Sequence, residues 1–202
     1  MSYIGTQPNN VKQNIGLYTP NDITALTKDG HWGGSLELIE SQIYSSGTVS
    51  AVDFTSIKGA KFDVHFLTWS NVDFASEEVP ALRFRESGTW ETASVYQYAY
   101  QGYSAGGSFT ENRSTGETYC LLGNYTNDNT NGYAYIYNAI DSTKYTFGTF
   151  QMVVKQDIHT PRMAFGSNAH MSTSACSGLR VFLATTGNIA EGNISLYGQK
   201  VY

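Results

Sequence analysis

Gly178-Leu-Arg-Val-Phe-Leu-Ala184, then Thr185-Thr186, then Gly187-Asn-Ile-Ala-Glu-Gly-Asn-Ile-Ser-Leu-Tyr-Gly198 is the stretch on which the fold reading turns. Leu179, Val181 and Leu183 stand at every second position, as do Ile194 and Leu196. A period of two is that of a β-strand with one buried face. Two such runs around a Gly/Asn-rich connection read as a closing hairpin. The final strand, running on toward Tyr202, is expected to be tied into a sheet rather than loose.

The same alternation recurs upstream, over 35–44, 48–54, 61–70, 81–85, 94–100, 118–122, 133–137, 145–154 and 162–165, and in the tail over 178–184 and 193–201. Val95-Tyr-Gln-Tyr-Ala-Tyr100 and Tyr133-Ala-Tyr-Ile-Tyr137 each set tyrosines on one face, where aromatic rows pack across strands. The breaks carry turn chemistry: Ser46-Gly47, Lys58-Gly59, Ser87-Gly88, Gly106-Gly107, Thr115-Gly116, Asn131-Gly132 and Gly187-Asn188. Many short strands with almost no helix between them require antiparallel pairing, because parallel pairs need long crossovers. The expected fold is all-β: an antiparallel β-sandwich, jelly-roll-like, with an irregular N-terminal arm.

A chain of 202 residues is long enough for one such core. Charged residues are only 14 % of it, against roughly a quarter in ordinary soluble domains. Tyrosine, glycine and uncharged polar residues fill the gap. The net charge of −5, with Arg83-Phe84-Arg85 as the longest basic cluster, excludes nucleic acid as a partner, since phosphate binding needs clustered cations. No apolar run approaches the roughly 18 residues of a membrane helix, so no membrane insertion is expected. The opening residues lack the basic and apolar regions of a signal peptide, so the chain is expected to be made in a cytoplasm and to stay soluble unless something else carries it out. Cys120 and Cys176 lack zinc-site spacing, and their spacing leaves a disulfide open.

Residues 1–34 read as a separate arm for attachment or assembly, and residues 35–202 as the sandwich. The arm lacks sustained periodicity but carries apolar anchors at Tyr3, Ile4, Ile15, Leu17, Tyr18 and Trp32, enough to lie on a partner surface or to fold back on its own domain. Within it, Pro20 to Leu26 reads as one helical turn capped by Asn21 or Asp22.

Catalytic chemistry is hard to find. Of His31, His65, His159 and His170, none has a second ligand at helical spacing; His65 reads as a half-exposed strand residue, and His159 and His170 bracket one segment. Ser104-Ala-Gly-Gly-Ser108 has small residues but no strand–elbow–helix setting, so it reads as a hairpin loop. Glu77-Glu78 are adjacent before Pro80 and point apart, unlike a glycosidase acid pair. The Asn124–Asn131 loop offers oxygen ligands, yet Asp128 is its only charge, which favours a solvated loop over a calcium site. The expectation is no enzyme, no catalytic residue, no metal and no cofactor. Tyr98, Tyr100, Tyr103 and Tyr125, on or beside Gly-rich loops, are the candidates for surface recognition of a glycan or protein.

Phe182-Leu-Ala-Thr-Thr-Gly-Asn-Ile-Ala-Glu-Gly-Asn-Ile-Ser-Leu-Tyr-Gly198 resembles the closing segment of a family of tailed-bacteriophage virion proteins, often tail-fibre components. Thr48-Val-Ser-Ala-Val-Asp-Phe54 with Phe62-Asp-Val-His-Phe-Leu-Thr-Trp-Ser-Asn-Val72 is similar to that family's opening strands. Leu82-Arg-Phe-Arg85 and Asp141-Ser-Thr-Lys-Tyr145 sit where it has comparable strands and turns. Ser2-Tyr-Ile-Gly5 and Trp32-Gly-Gly34 resemble virion proteins of marine tailed phages. The resemblance spans most of residues 36–202. It implies a virion structural module, a homotrimer held to other virion proteins by its N-terminal arm and presenting loops to the host surface. It implies no catalytic or binding residue. A capsid decoration protein and a lectin-like carbohydrate-binding module that recognises host surface glycan are the alternatives.

Overall fold

A computed structural model of the chain describes residues 19–28, 36–45, 48–75, 78–123, 129–155 and 160–199. The chain divides into two units, Met1–Ser35 and Leu36–Tyr202. In the first, Pro20–Lys28 forms a helix, α1. It is longer than the single turn expected, and its cap is Thr19 rather than Asn21 or Asp22. Thr19 Oγ1 accepts the Asp22 N–H at 3.2 Å, and the Asp22 carboxylate accepts the Thr19 N–H at 2.8 Å. This reciprocal box, with Pro20 at the first helical position, satisfies the orphan donors of the first turn. The arm anchors Tyr3, Ile4, Ile15, Leu17, Tyr18 and Trp32 lie outside the described residues.

The second unit is an antiparallel β-sandwich of two sheets. Its strands, in chain order, are β1 (Leu36–Tyr44), β2 (Ala51–Phe54), β3 (Val64–Phe74), β4 (Pro80–Glu86), β5 (Thr89–Trp90), β6 (Tyr96–Ser104), β7 (Phe109–Glu117), β8 (Cys120–Leu121), β9 (Thr130–Tyr137), β10 (Thr146–Lys155), β11 (Pro161–His170), β12 (Cys176–Leu183) and β13 (Ile189–Gln199). The large sheet has eight strands in the order β1-β13-β3-β9-β10-β11-β6-β7. The small sheet runs β2-β12-β4-β5, with β8 also paired to β4. The chain crosses repeatedly between the two layers, with β9, β10 and β11 as consecutive neighbours in the large sheet.

Alternation places the core. In β10, Thr146, Gly148, Phe150, Met152 and Val154 are buried while Phe147, Thr149, Gln151, Val153 and Lys155 are exposed. The inward faces of the two sheets supply Leu67, Trp69, Ile136, Phe150, Ile194 and Leu196 from one side and Val52, Phe54, Leu82, Phe84, Leu179 and Val181 from the other. Tyr96 closes this core at one end: its hydroxyl accepts the Phe84 N–H at 3.0 Å and donates to the Glu91 carbonyl at 3.2 Å.

Several local expectations are corrected. The closing segment is not a hairpin: β12 belongs to the small sheet and β13 to the large one, so Ala184 to Asn188 carries the chain between layers. Both strands alternate, and alternation alone does not say which neighbour a strand takes. Asn131-Gly132 lies inside β9, not at a turn, with Gly132 beneath the Trp69 indole. Gly116, at φ +75°, is an extra residue bulged out of β7 opposite the Tyr96–Gln97 step. Strands β5 and β7 were not anticipated. By contrast Ser87-Gly88 does make the tight turn from β4 to β5, with φ of +46° and +86°. Among the described residues, no helix is long and apolar enough to cross a membrane.

Candidate functional site

The two outward faces of the sandwich differ in kind. On the small sheet, Arg180 forms a two-pronged ion pair with Asp53 (2.6 and 2.7 Å) and lies 4.5 Å over the Trp90 ring, while Arg83 lies 4.6 Å over Phe182. That face is charged and already satisfied by its own residues.

The outward face of the large sheet is apolar. Strand register lines up one row as Leu38, Tyr197, Phe66 and Tyr135, which continues through Thr149, Ser167 and Ala99 to Arg113. Of the large hydrophobic side chains exposed among the described residues, all but Tyr145 stand on this face, with Leu38 58 % and Ile43 72 % exposed at its β1 edge. Across the four central rows the only charged side chains are Glu111 and Arg113, both on edge strand β7. Single exposed apolar residues are ordinary, but a contiguous apolar face marks a contact surface.

Two aromatic groups occupy opposite ends. Phe66 packs against Tyr135 (4.6 Å between ring centres), Tyr133 (5.8 Å) and Tyr197 (6.2 Å). At the β7 end Tyr103 packs against Phe109 (5.1 Å) and Phe165 (6.1 Å). Between them the small side chains of Ala99, Thr149 and Ser167 leave an open trough. One half, of about 770 Å³, is walled by Phe147, Gln97 and Arg113; the other, of about 690 Å³, by Phe165, Gln101 and Glu111.

Of the tyrosines expected on the surface, Tyr103 is there. Tyr100 is not: it is buried, its ring edge-on to Phe150 at 6.1 Å, because β6 turns its even-numbered residues inward. Tyr98 shares that inward face and is half-buried. Tyr125 lies outside the described residues, as do Glu77, His31, His159 and most of the Asn124–Asn131 loop. The outward aromatics of β3 and β10 were missed because both faces of these strands carry apolar residues, and that of β11 because its large apolar residues, Met163 and Phe165, face outward while Arg162, Ala164, Gly166, Asn168 and His170 face inward.

The remaining candidates resolve individually. Ser104 and Ser108 close the β6–β7 hairpin, with Ser104 Oγ accepting the Ser108 N–H at 3.2 Å. Glu78 accepts a short hydrogen bond from the Thr185 hydroxyl. Cys120 and Cys176 are buried free thiols. His65 is fully buried rather than half-exposed, because its face of β3 is the inward one; Nε2–H donates to the Ile57 carbonyl at 2.7 Å. Burial holds its pKa below the ordinary histidine value against the opposing effect of that hydrogen bond, and it lowers that of buried His170 likewise. Both are neutral in the fold and take up protons on unfolding, so their stabilising contribution is present above about pH 6.5 and is lost as pH falls below it. The urea midpoint is therefore expected to drop between pH 7.5 and 5.5, with a shallower drop in His65→Gln. An unchanged or higher midpoint at pH 5.5 would refute this.

One cluster brings metal-ligand types together. Glu86, His170 and Cys176 place one carboxylate oxygen, one ring nitrogen and the sulfur within 4.8 Å of one another. Glu86 ends β4 and faces Cys176 in register, while His170 ends β11 in the other sheet. Burial pushes the Cys176 thiol up to about 12, against the lowering effect of its contact with the Thr146 hydroxyl. Sequence inspection could not find this trio, since no spacing rule links residues on strands of different sheets. No family model matches the sequence, and no curated protein and no solved structure is significantly similar to the chain.

Proposed function

We propose that this chain is a non-enzymatic structural component of a bacteriophage virion, a tail fibre or tail appendage subunit that assembles with further copies of itself through the outward face of its large sheet. The observation that carries the assembly part is the near-absence of charge on that aromatic face. Eight strands spaced by about 4.8 Å and four outward residues about 6.6 Å apart along each give roughly 1,000 Å². A standard stable interface buries about 800 Å² per partner. Cyclic assembly beyond a dimer needs two different patches on every subunit. The Phe66–Tyr135–Tyr197 group near the β1 edge and the Tyr103–Phe109–Phe165 group at the β7 edge are two such patches, which suits a homotrimer. The resemblance of the closing segment to tail-fibre proteins supports the virion part, with residues 1–34 as the attachment arm and the loops turned to the host.

Light scattering or sedimentation of the full chain is expected to give a trimer. Tyr135→Glu with Phe165→Glu is expected to give a monomer with unchanged far-UV circular dichroism, because both side chains point away from the core. A monomeric parent chain would sink the assembly reading. Imaging particles that lack the chain tests the location: loss of tail density supports an appendage, and loss of capsid surface density supports a decoration protein instead.

The trough favours a second reading, a lectin-like module for host surface glycan. Aromatic rings flanking Gln97, Gln101, Glu111 and Arg113 combine stacking surfaces with hydrogen-bonding groups, as sugar recognition requires. It predicts saturable glycan-array binding that weakens at least about tenfold, on the order of 1.4 kcal/mol, in Phe147→Ala or Arg113→Ala. No binding to any glycan would count against it.

A further inference from the structure

The least satisfied polar groups in the described sandwich sit together where the two sheets meet. His170 is fully buried, and neither of its ring nitrogens has a hydrogen-bond partner. Nε2 lies 3.0 Å from Glu86 Oε1, but the approach lacks hydrogen-bond alignment, so that carboxylate oxygen is also buried and unsatisfied. Cys176 Sγ completes the group, with Thr146 Oγ1 at 3.8 Å behind it. Each orphaned buried polar atom costs about 1–3 kcal/mol, and several gathered at one place call for an account, which a bound ion would supply.

From this geometry we propose that Glu86, His170 and Cys176 bind one divalent transition-metal ion, zinc by donor type, which ties the small sheet to the large one. A carboxylate oxygen, an imidazole nitrogen and a thiolate sulfur form a borderline-to-soft set that suits zinc and cobalt and disfavours calcium and magnesium. In a tetrahedral zinc site the ligand atoms stand roughly 3.3–3.8 Å apart. The trio, with no separation beyond 4.8 Å, reaches that by small side-chain shifts. Its scaffold is rigid: Glu86 and Cys176 are register partners on β4 and β12, and His170 is held between Thr146 and Tyr96 on the neighbouring strands. The phenyl ring of Phe84, 5.4 Å from the imidazole, and the Tyr96 ring, 4.8 Å from it, wall the site on its apolar side. Binding replaces the thiol proton, which leaves to solvent. Three protein ligands leave a fourth position for water.

The full chain, stripped with a chelator and titrated with Co²⁺, reads this directly. The expected result is a thiolate-to-cobalt absorption band that saturates at about one ion per chain. Cys176→Ser abolishes the band, and His170→Gln weakens cobalt binding at least about tenfold. Cys120→Ser keeps it, since Cys120 Sγ lies instead against the Gln97 and Ala169 carbonyls. Zinc raises the thermal midpoint of the parent chain but not of Cys176→Ser. The parent chain alone decides the matter should a variant fail to fold. No thiolate band in the parent, or a band that survives Cys176→Ser, overturns the proposal.

Discussion

Phe84→Ala is expected to destabilise the sandwich by about 3–5 kcal/mol, in the range for emptying a phenylalanine site in a packed core. Phe84 stands in the middle of the small sheet, 1 % exposed, with its ring stacked at 6.3 Å on Tyr96 and tilted against His170 at 5.4 Å. Those neighbours are poorly placed to fill the void. The Tyr96 hydroxyl is held by the Phe84 N–H and the Glu91 carbonyl, and the His170 backbone is held by β10 and β6 on either side. Against a total stability of roughly 5–15 kcal/mol the loss is large. In a thermal melt it corresponds to a fall of roughly 6–20 °C for a domain of this size. The matched control is Leu38→Ala, measured at dilutions where any assembly dissociates. Leu38 is an apolar side chain of similar size on the outward face, and its truncation should cost no more than about 0.5 kcal/mol. If the two variants lost similar amounts, the assignment of inner and outer faces would be wrong.

That contrast between faces also marks where sequence reading succeeded and where it ran out. Strands such as β10 and β12 were legible because apolar residues at every second position have one physical explanation, a pleated strand half in contact with a core. Edge strand β7, Phe-Thr-Glu-Asn-Arg-Ser-Thr-Gly-Glu, has no such pattern because neither of its faces is buried well, so it resembled loop. The pairing of β12 and β13 with different sheets was illegible for another reason: period two is a property of a strand alone, whereas its partner depends on the whole topology. The large apolar residues on the outward faces of β10 and β11 carried more information than the alternation did. A strand in a two-layer sandwich needs one apolar face, and Phe147, Val153, Met163 and Phe165 are surplus to that need. Surplus of this kind is what the proposed assembly would bury. The Glu86–His170–Cys176 trio was beyond sequence reading altogether, because its members meet only once both sheets exist.

Gly132→Ala is the sharpest separation of the sequence reading from the fold. If Asn131-Gly132 were a hairpin turn, an alanine there would point to solvent, cost about 1 kcal/mol through backbone strain, and be indifferent to the residue at position 69. Within β9 the situation is different. A Cβ on Gly132 would meet Trp69 Cζ2 at 2.4 Å and the Gln151 carbonyl oxygen at 2.6 Å. The indole is 4 % exposed and fixed by its place in β3, and the carbonyl belongs to the backbone of β10, so neither can withdraw cheaply. Overpacking of this kind costs about 1–3 kcal/mol, and more where backbone must move. Trp69→Phe removes the indole atoms that the new methyl would strike while leaving the Gln151 carbonyl in place. Gly132→Ala should therefore cost about 1 kcal/mol less in the Trp69→Phe background than in the parent, a coupling typical of residues in contact. Urea titrations of the four proteins in that cycle measure it. Equal costs in both backgrounds would place Gly132 away from Trp69 and restore the turn.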